Sequence, residues 1–73
     1  MKEYDIHGLT LYETQDLVHK IVGEVRLDDQ EDWVRIITGN GVLQKEVISI
    51  LESYSLKPEL QWGNSGCVDV HIL

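Results

Sequence analysis

Trp33-Val34-Arg35-Ile36-Ile37-Thr38-Gly39-Asn40-Gly41-Val42-Leu43-Gln44-Lys45-Glu46-Val47-Ile48-Ser49-Ile50-Leu51-Glu52-Ser53-Tyr54 changes its hydrophobic period halfway along. Trp33 to Thr38 is a β-branched run of the kind that fills a buried central strand. Thr38-Gly39-Asn40-Gly41 is a tight glycine turn. Val42, Leu43, Val47, Ile48, Leu51 and Tyr54 then recur at helical spacing, which marks an amphipathic helix. A strand that passes through a short turn into a helix is half of a βαβ unit. The rest of the chain supplies a strand and helix before it and two more strands after it.

On the N-terminal side, Glu3 to His7 reads as a short strand, with Tyr4 and Ile6 on one face and Asp5 and His7 on the other. Gly8 ends it. Thr10-Leu11-Tyr12-Glu13 has the T-x-x-E form of a capping box. Leu17, Val18, Ile21, Val22 and Val25 follow as one apolar stripe, so the first helix is expected over residues 11–26. Asp28 to Asp32 is an acidic loop. On the C-terminal side, Leu56 to Trp62 contains a third strand that begins after Pro58, a tolerated place for proline. Gly63-Asn64-Ser65-Gly66 is a turn. Cys67 to Ile72 alternates as a fourth strand, with Val68, Val70 and Ile72 on one face.

The order is βαβαββ: an α/β (α+β two-layer) sandwich with a mixed four-stranded sheet and two helices. Crossovers of the strand–helix–strand type join parallel strands, so the first three strands run one way and the last hairpin turns back. The carboxyl ends of the parallel strands and both helix N-termini then share one edge of the sheet, where open α/β sheets bind ligands. His7-Gly8, Thr38 to Gly41 and Gly63 to Gly66 are expected to meet there.

At 73 residues the chain is expected to be one domain, spanning residues 1–73. With 42% hydrophobic residues, rich in Val, Ile and Leu, it can fill a core. A single cysteine, Cys67, excludes an internal disulfide framework. There is no zinc-finger spacing, no apolar run long enough for a membrane span, and no signal-like opening. A cytoplasmic location is the default expectation. The net charge of −7 argues against a nucleic-acid partner. Yet Asp28, Asp29, Glu31 and Asp32 supply more than half of that excess. The topology sends their loop to the edge opposite the glycine turns. Screening at physiological salt acts over ~8 Å, so the loop does not forbid an anion at the other edge. Weak, salt-sensitive binding is the expectation.

Two features give that edge chemistry. Helix N-termini offer free N–H groups and a partial positive charge to a phosphate, and Gly39 and Gly41 let backbone approach it. Alone, T-G-x-G is also an ordinary strand-to-helix turn, and it is too short for a P-loop. Asp5 and His7 share a strand face, and a positioned histidine can serve as a general acid or base. They could equally be a solvated pair. His19 and His71 are expected at the surface, and Cys67 as a small buried side chain. No cluster of three or more ligands surrounds Asp5, so no dedicated metal cage is expected.

Taken in order, these segments resemble the Smr (small MutS-related) domain along nearly the whole chain. Tyr4-Asp5-Ile6-His7-Gly8 is similar to that family's L-D-x-H-G opening, and Leu9 to Thr14 to the helix start that follows. Arg35 to Gly41 resembles its R-I-I-T/H-G-x-G segment. Val42 to Val47 resembles its L-[RK]-x-x-V helix, and Gly63 to Val70 its closing hairpin. The resemblance implies a fold like the C-terminal domain of translation initiation factor three. It also implies nucleic-acid binding, with nicking of DNA or RNA in several members. Asn40 stands where the family often has Lys, and Gln44 where Arg is common. On this reading Asp5 and His7 are the catalytic pair. Gly8, Thr38, Gly39, Asn40, Gly41, Lys45, Asn64 and Ser65 hold nucleic acid, with Lys45 the nearest cation. A divalent ion, Mg²⁺ or Mn²⁺, is left open as cofactor, and the substrate as branched or structured DNA or RNA. One alternative is a non-catalytic nucleic-acid binder, which the Asn40 and Gln44 replacements favour. The other is a protein-interaction module, motivated by the acidity and by Trp33, Tyr54 and Trp62, although core packing is the ordinary use of such aromatics.

Overall fold

The computed structural model describes residues 1–28 and 31–73; Asp29 and Gln30, in the middle of the expected acidic loop, lie outside the described residues. The elements run β1 (Lys2–Asp5), α1 (Leu11–Leu27), β2 (Asp32–Ile37), α2 (Val42–Ser53), β3 (Glu59–Gln61) and β4 (Asn64–Ile72). This is the expected βαβαββ order. β1 pairs parallel to β2, and β4 lies antiparallel to both β2 and β3, so the first three strands do share a direction. The spatial order is β1-β2-β4-β3. β4 therefore inserts between the two strands that α2 connects. β3, with only three residues and Pro58 just before it, takes an edge, where unpaired backbone is tolerated.

Both crossovers step across the sheet in the same direction. Right-handed connections then place both helices on one face. Ile6, Val34, Ile36, Val68, Val70 and Ile72 rise from the sheet to meet Val18, Ile21, Val22, Val25, Val47, Ile50 and Leu51 of the helices, all of them buried. The opposite face stays open. There Arg35 of β2 makes a two-pronged ion pair with Asp69 of β4, at 2.9 and 3.0 Å. The Asp69 hydrogen bonds, helped by its charge and that of Glu3, raise the Arg35 pKa above its ordinary value. Trp33 stacks on His71 beside them, with ring centroids 5.1 Å apart.

The apolar stripes hold with two corrections. In α2, Val42 is exposed and Ile50 is buried instead, because the helix turns its first residue toward the sheet edge and not the core. In the last hairpin, β4 starts at Asn64, three residues earlier than expected. Asn64 already pairs with Gln61, which leaves Trp62 and Gly63 as the turn. Trp62 is 97% exposed, so the core-packing use does not apply to it.

The capping box forms as the T-x-x-E spacing predicts. Thr10 Oγ1 accepts from the Glu13 N–H at 3.1 Å, and Glu13 Oε1 accepts from the Thr10 N–H at 3.0 Å. The backbone and side-chain bonds from Thr10 hold the Glu13 pKa below its ordinary 4.5. A lowered carboxylate pKa means stabilisation that is present above 4.5 and lost as the pH falls through the lowered value. Thr10→Ala is expected to cost about 1 kcal/mol, which moves Tm down by about 4–8 °C in a domain of this size. Thermal melts of both proteins at pH 7 and at pH 3 check this. The wild type should lose part of its cap stabilisation at the lower pH.

Candidate functional site

β1 ends at Asp5, and the Ile6 N–H still bonds the Ile37 carbonyl at 3.0 Å. The chain then leaves the sheet through Gly8, whose φ of +86° turns it toward α1. Asp5 and His7 are thereby brought together at the carboxyl end of β1. Asp5 Oδ1 accepts from the His7 backbone N–H at 3.2 Å and lies 2.5 Å from His7 Nδ1. These two bonds, the ring contact first, hold the Asp5 carboxyl below its ordinary 3.8. An ionised Asp5 fixes the imidazole proton on Nδ1 and leaves the Nε2 lone pair free. The His7 side chain is 75% exposed, so Nε2 faces solvent.

β2 delivers the second segment. Thr38 is buried, and its Oγ1 donates to the Gly39 carbonyl at 2.7 Å. Gly39 adopts φ +73°, a conformation that favours glycine. Gly41 is the N-cap of α2 and offers no side-chain cap. The first N–H groups of α2 thus face outward, with the positive end of the helix dipole behind them. The two helix N-termini differ here. That of α1 carries the expected capping box, with Thr10 Oγ1 on the Glu13 N–H and the Glu13 carboxylate on the Thr10 N–H.

The third segment docks on the second. The Thr38 and Gly39 N–H groups both bond the Gly66 carbonyl, at 2.9 and 3.0 Å. Ser65 Oγ donates to Asn40 Oδ1 at 3.1 Å, and Asn64 Oδ1 accepts from the Gly66 N–H at 3.1 Å. Gln44 was singled out in the sequence only as a lost arginine, yet it is the tie between the two turns. Its Nε2 donates to the Ser65 carbonyl at 2.5 Å and to the Gly39 carbonyl at 3.1 Å. No residue-type signal could have identified that role, because it depends on β4 sitting beside β2. Lys45 is exposed on the first turns of α2 and makes no salt bridge among the described residues.

Thr38 to Gly41, Asn64 to Gly66 and Gln44 thus form one hydrogen-bonded unit. Asp5-His7-Gly8 stands beside it, joined through the β1–β2 pairing and by no side-chain bond among the described residues. The opposite end of the sheet is acidic. Asp28, Glu31 and Asp32 line a shallow cleft with Lys2 there. Asp32 opens β2, and Thr38 follows its far end. Other cations are engaged elsewhere: Arg35 with Asp69, and Arg26 with the Leu73 and Tyr54 carbonyls and the Tyr54 ring. His19 is exposed as expected and meets the Tyr54 hydroxyl at 2.6 Å; Cys67 is buried.

Among the described residues no group of three or more His, Cys, Asp or Glu is placed to hold a metal ion. Asp5 spends Oδ1 on His7 and His7 spends Nδ1 on Asp5, so this pair offers too few donors for a protein-held Mg²⁺ or Mn²⁺. Among the described residues no helix is long and apolar enough to cross a membrane.

Comparison with known proteins agrees with this arrangement. The chain superposes on the crystal structure of the Smr domain of Thermus thermophilus MutS2 with a TM-score of 0.78 and 24% identity, covering 100% of this chain and 99% of the other. At that identity the likeness speaks for the fold. Comparison with curated proteins finds no match. The family model for the Smr domain matches residues 4–72, from the first strand to the last. Fold, motif order and family model agree, and the chain belongs to the Smr domain family.

Proposed function

We propose that this chain binds nucleic acid at the carboxyl edge of its sheet and nicks a phosphodiester bond there. The observation that carries the reading is the Asp5–His7 pair, an oriented and exposed imidazole beside an uncapped helix N-terminus. Backbone N–H groups at the start of α2, reached across Gly39, Asn40 and Gly41, hold the phosphate. Lys45 adds charge. Asn40, Asn64 and Ser65 bond one another or the turn and keep its shape, while Thr38 anchors it from inside. Gly8 lets the chain leave β1 without covering His7.

On RNA, His7 Nε2 takes the proton of the 2′-hydroxyl as its oxygen attacks the adjacent phosphorus. The new bond from the 2′ oxygen to phosphorus leaves a cyclic phosphate, the bond from phosphorus to the 5′ oxygen breaks, and that oxygen takes its proton from solvent water. On DNA, His7 takes the proton of an attacking water instead; the water oxygen bonds phosphorus, one phosphorus–sugar oxygen bond breaks, and the departing oxygen takes a proton from solvent water. Asp5 keeps the ring in the reactive tautomer and stabilises the imidazolium that forms. Membership of a family whose members bind nucleic acids, some of them nicking endonucleases, supports the reading. A domain location at 1–73 and a cytoplasmic setting are part of the same proposal.

The test is cleavage of supercoiled or branched DNA and of structured RNA by purified protein, with and without Mg²⁺ or Mn²⁺. Nicking by the wild type that is lost in His7→Ala and reduced in Asp5→Asn supports it. Absence of cleavage of either polymer, with binding intact, replaces it by the non-catalytic reading.

A further inference from the structure

Trp62 stands at the tip of the β3–β4 hairpin with nearly all its surface in water, next to Gly63 at φ +80°. It contributes nothing to the core. It does lie at the carboxyl end of β3, the same end of the sheet as Thr38 to Gly41. Ser65, three residues on, bonds Asn40, and Gln44 bonds the Ser65 carbonyl. At ~3.8 Å per Cα step, the Trp62 Cα lies at most about 11 Å from that of Ser65.

We propose that Trp62 is a stacking platform for an unpaired nucleobase beside the phosphate held at the start of α2, and that the ligand class is single-stranded or looped nucleic acid. This rests on the nucleic-acid reading above. The indole has both faces free, and a base can use such a face only when it is released from its neighbours in a duplex. The platform is held in place. Ser65, Gly66 and Gln44 fix the strand that follows the hairpin to the phosphate turn, so little further backbone ordering is needed to use it. Charge makes the same demand. A chain of net −7, with Arg26 and Arg35 engaged internally, gains little from counterion release and must draw affinity from another source. Stacking supplies it without charge.

The test uses Trp33→Phe, which leaves Trp62 as the only tryptophan. Its emission is followed during titration, at low salt, with a single-stranded oligonucleotide, an abasic strand of equal length and charge, and a blunt duplex. The single strand should quench Trp62 and bind more tightly than the other two. In the otherwise native chain, Trp62→Ala should weaken single-strand binding by about 5- to 100-fold, measured by anisotropy of a labelled strand, while Trp62→Phe keeps most of it. Equal binding by Trp62→Ala and wild type overturns the stacking role and leaves the phosphate reading standing. So does duplex binding as tight as single-strand binding. No binding of any oligonucleotide by the wild type overturns both, and returns Trp62 to a protein partner.

Discussion

His7→Ala is expected to lower the rate of strand nicking by about 10²- to 10⁴-fold, the range a positioned general acid–base group supplies. Its Tm should stay close to that of the wild type, because the ring is exposed and its only side-chain partner among the described residues is Asp5, itself largely in solvent. The combination is diagnostic. A structural histidine would give loss of stability together with activity. Asp5→Asn should fall between the two, since the amide can no longer hold the proton on Nδ1 as a carboxylate does. The pH profile carries a second signature. The His7 bonds keep Asp5 ionised well into the acid range, so titration of Asp5 should leave the rate unaffected near neutrality. Single-turnover cleavage by the three proteins over a range of pH, beside thermal melts, measures all of this.

Ile36→Ala is the second large effect, and it acts on stability. Ile36 is wholly buried in β2, paired with Tyr4 of β1 and Val68 of β4, at the centre of the sheet. Deleting its side chain removes transfer energy and leaves a cavity between sheet and helices, at a cost of about 2–5 kcal/mol. A domain of this length has a total stability of roughly 4–11 kcal/mol. The variant is therefore expected to be partly unfolded at 37 °C, with chemical denaturation displaced to lower denaturant. Ile37, the next residue, faces the open side of the sheet and is half-buried. Ile37→Ala should cost clearly less, which separates burial from β-propensity.

The fold was largely legible in the sequence. Thr10 and Glu13 announce the start of α1, the glycine turn at Thr38 to Gly41 separates a strand period from a helix period, and two crossovers dictate three parallel strands. The position of β4 was not legible. A hairpin states that β3 and β4 are neighbours, without stating which of them reaches β2. The answer rests on long-range packing: β4 is the longer strand and buries Val68, Val70 and Ile72, whereas β3 is short and follows Pro58.

The site divides in the same way. Asp5 and His7 could be paired from their spacing, although the expected strand to His7 stops at Asp5 and the turn after it, not a shared strand face, joins them. Gln44 could not be assigned, because its partners at Ser65 and Gly39 come from segments joined only in three dimensions. Trp62 could not be separated from a core aromatic, because exposure is a property of the hairpin's reach and not of the residue. The charge of −7 also gains a location. Asp28, Glu31 and Asp32 gather at the amino end of β2, a strand's length from Thr38.

The central claim is that phosphate is met at the carboxyl edge of the sheet. Titrating ¹⁵N-labelled protein with a short single-stranded oligonucleotide at low salt tests it most directly. The account predicts that the amides of Gly8, Gly39, Gly41, Val42 and Gly66 move, while those of Lys2, Glu31 and Asp32 stay in place. Shifts confined to the amino end of the sheet, around Trp33 and His71, or no shift at any amide, would contradict it.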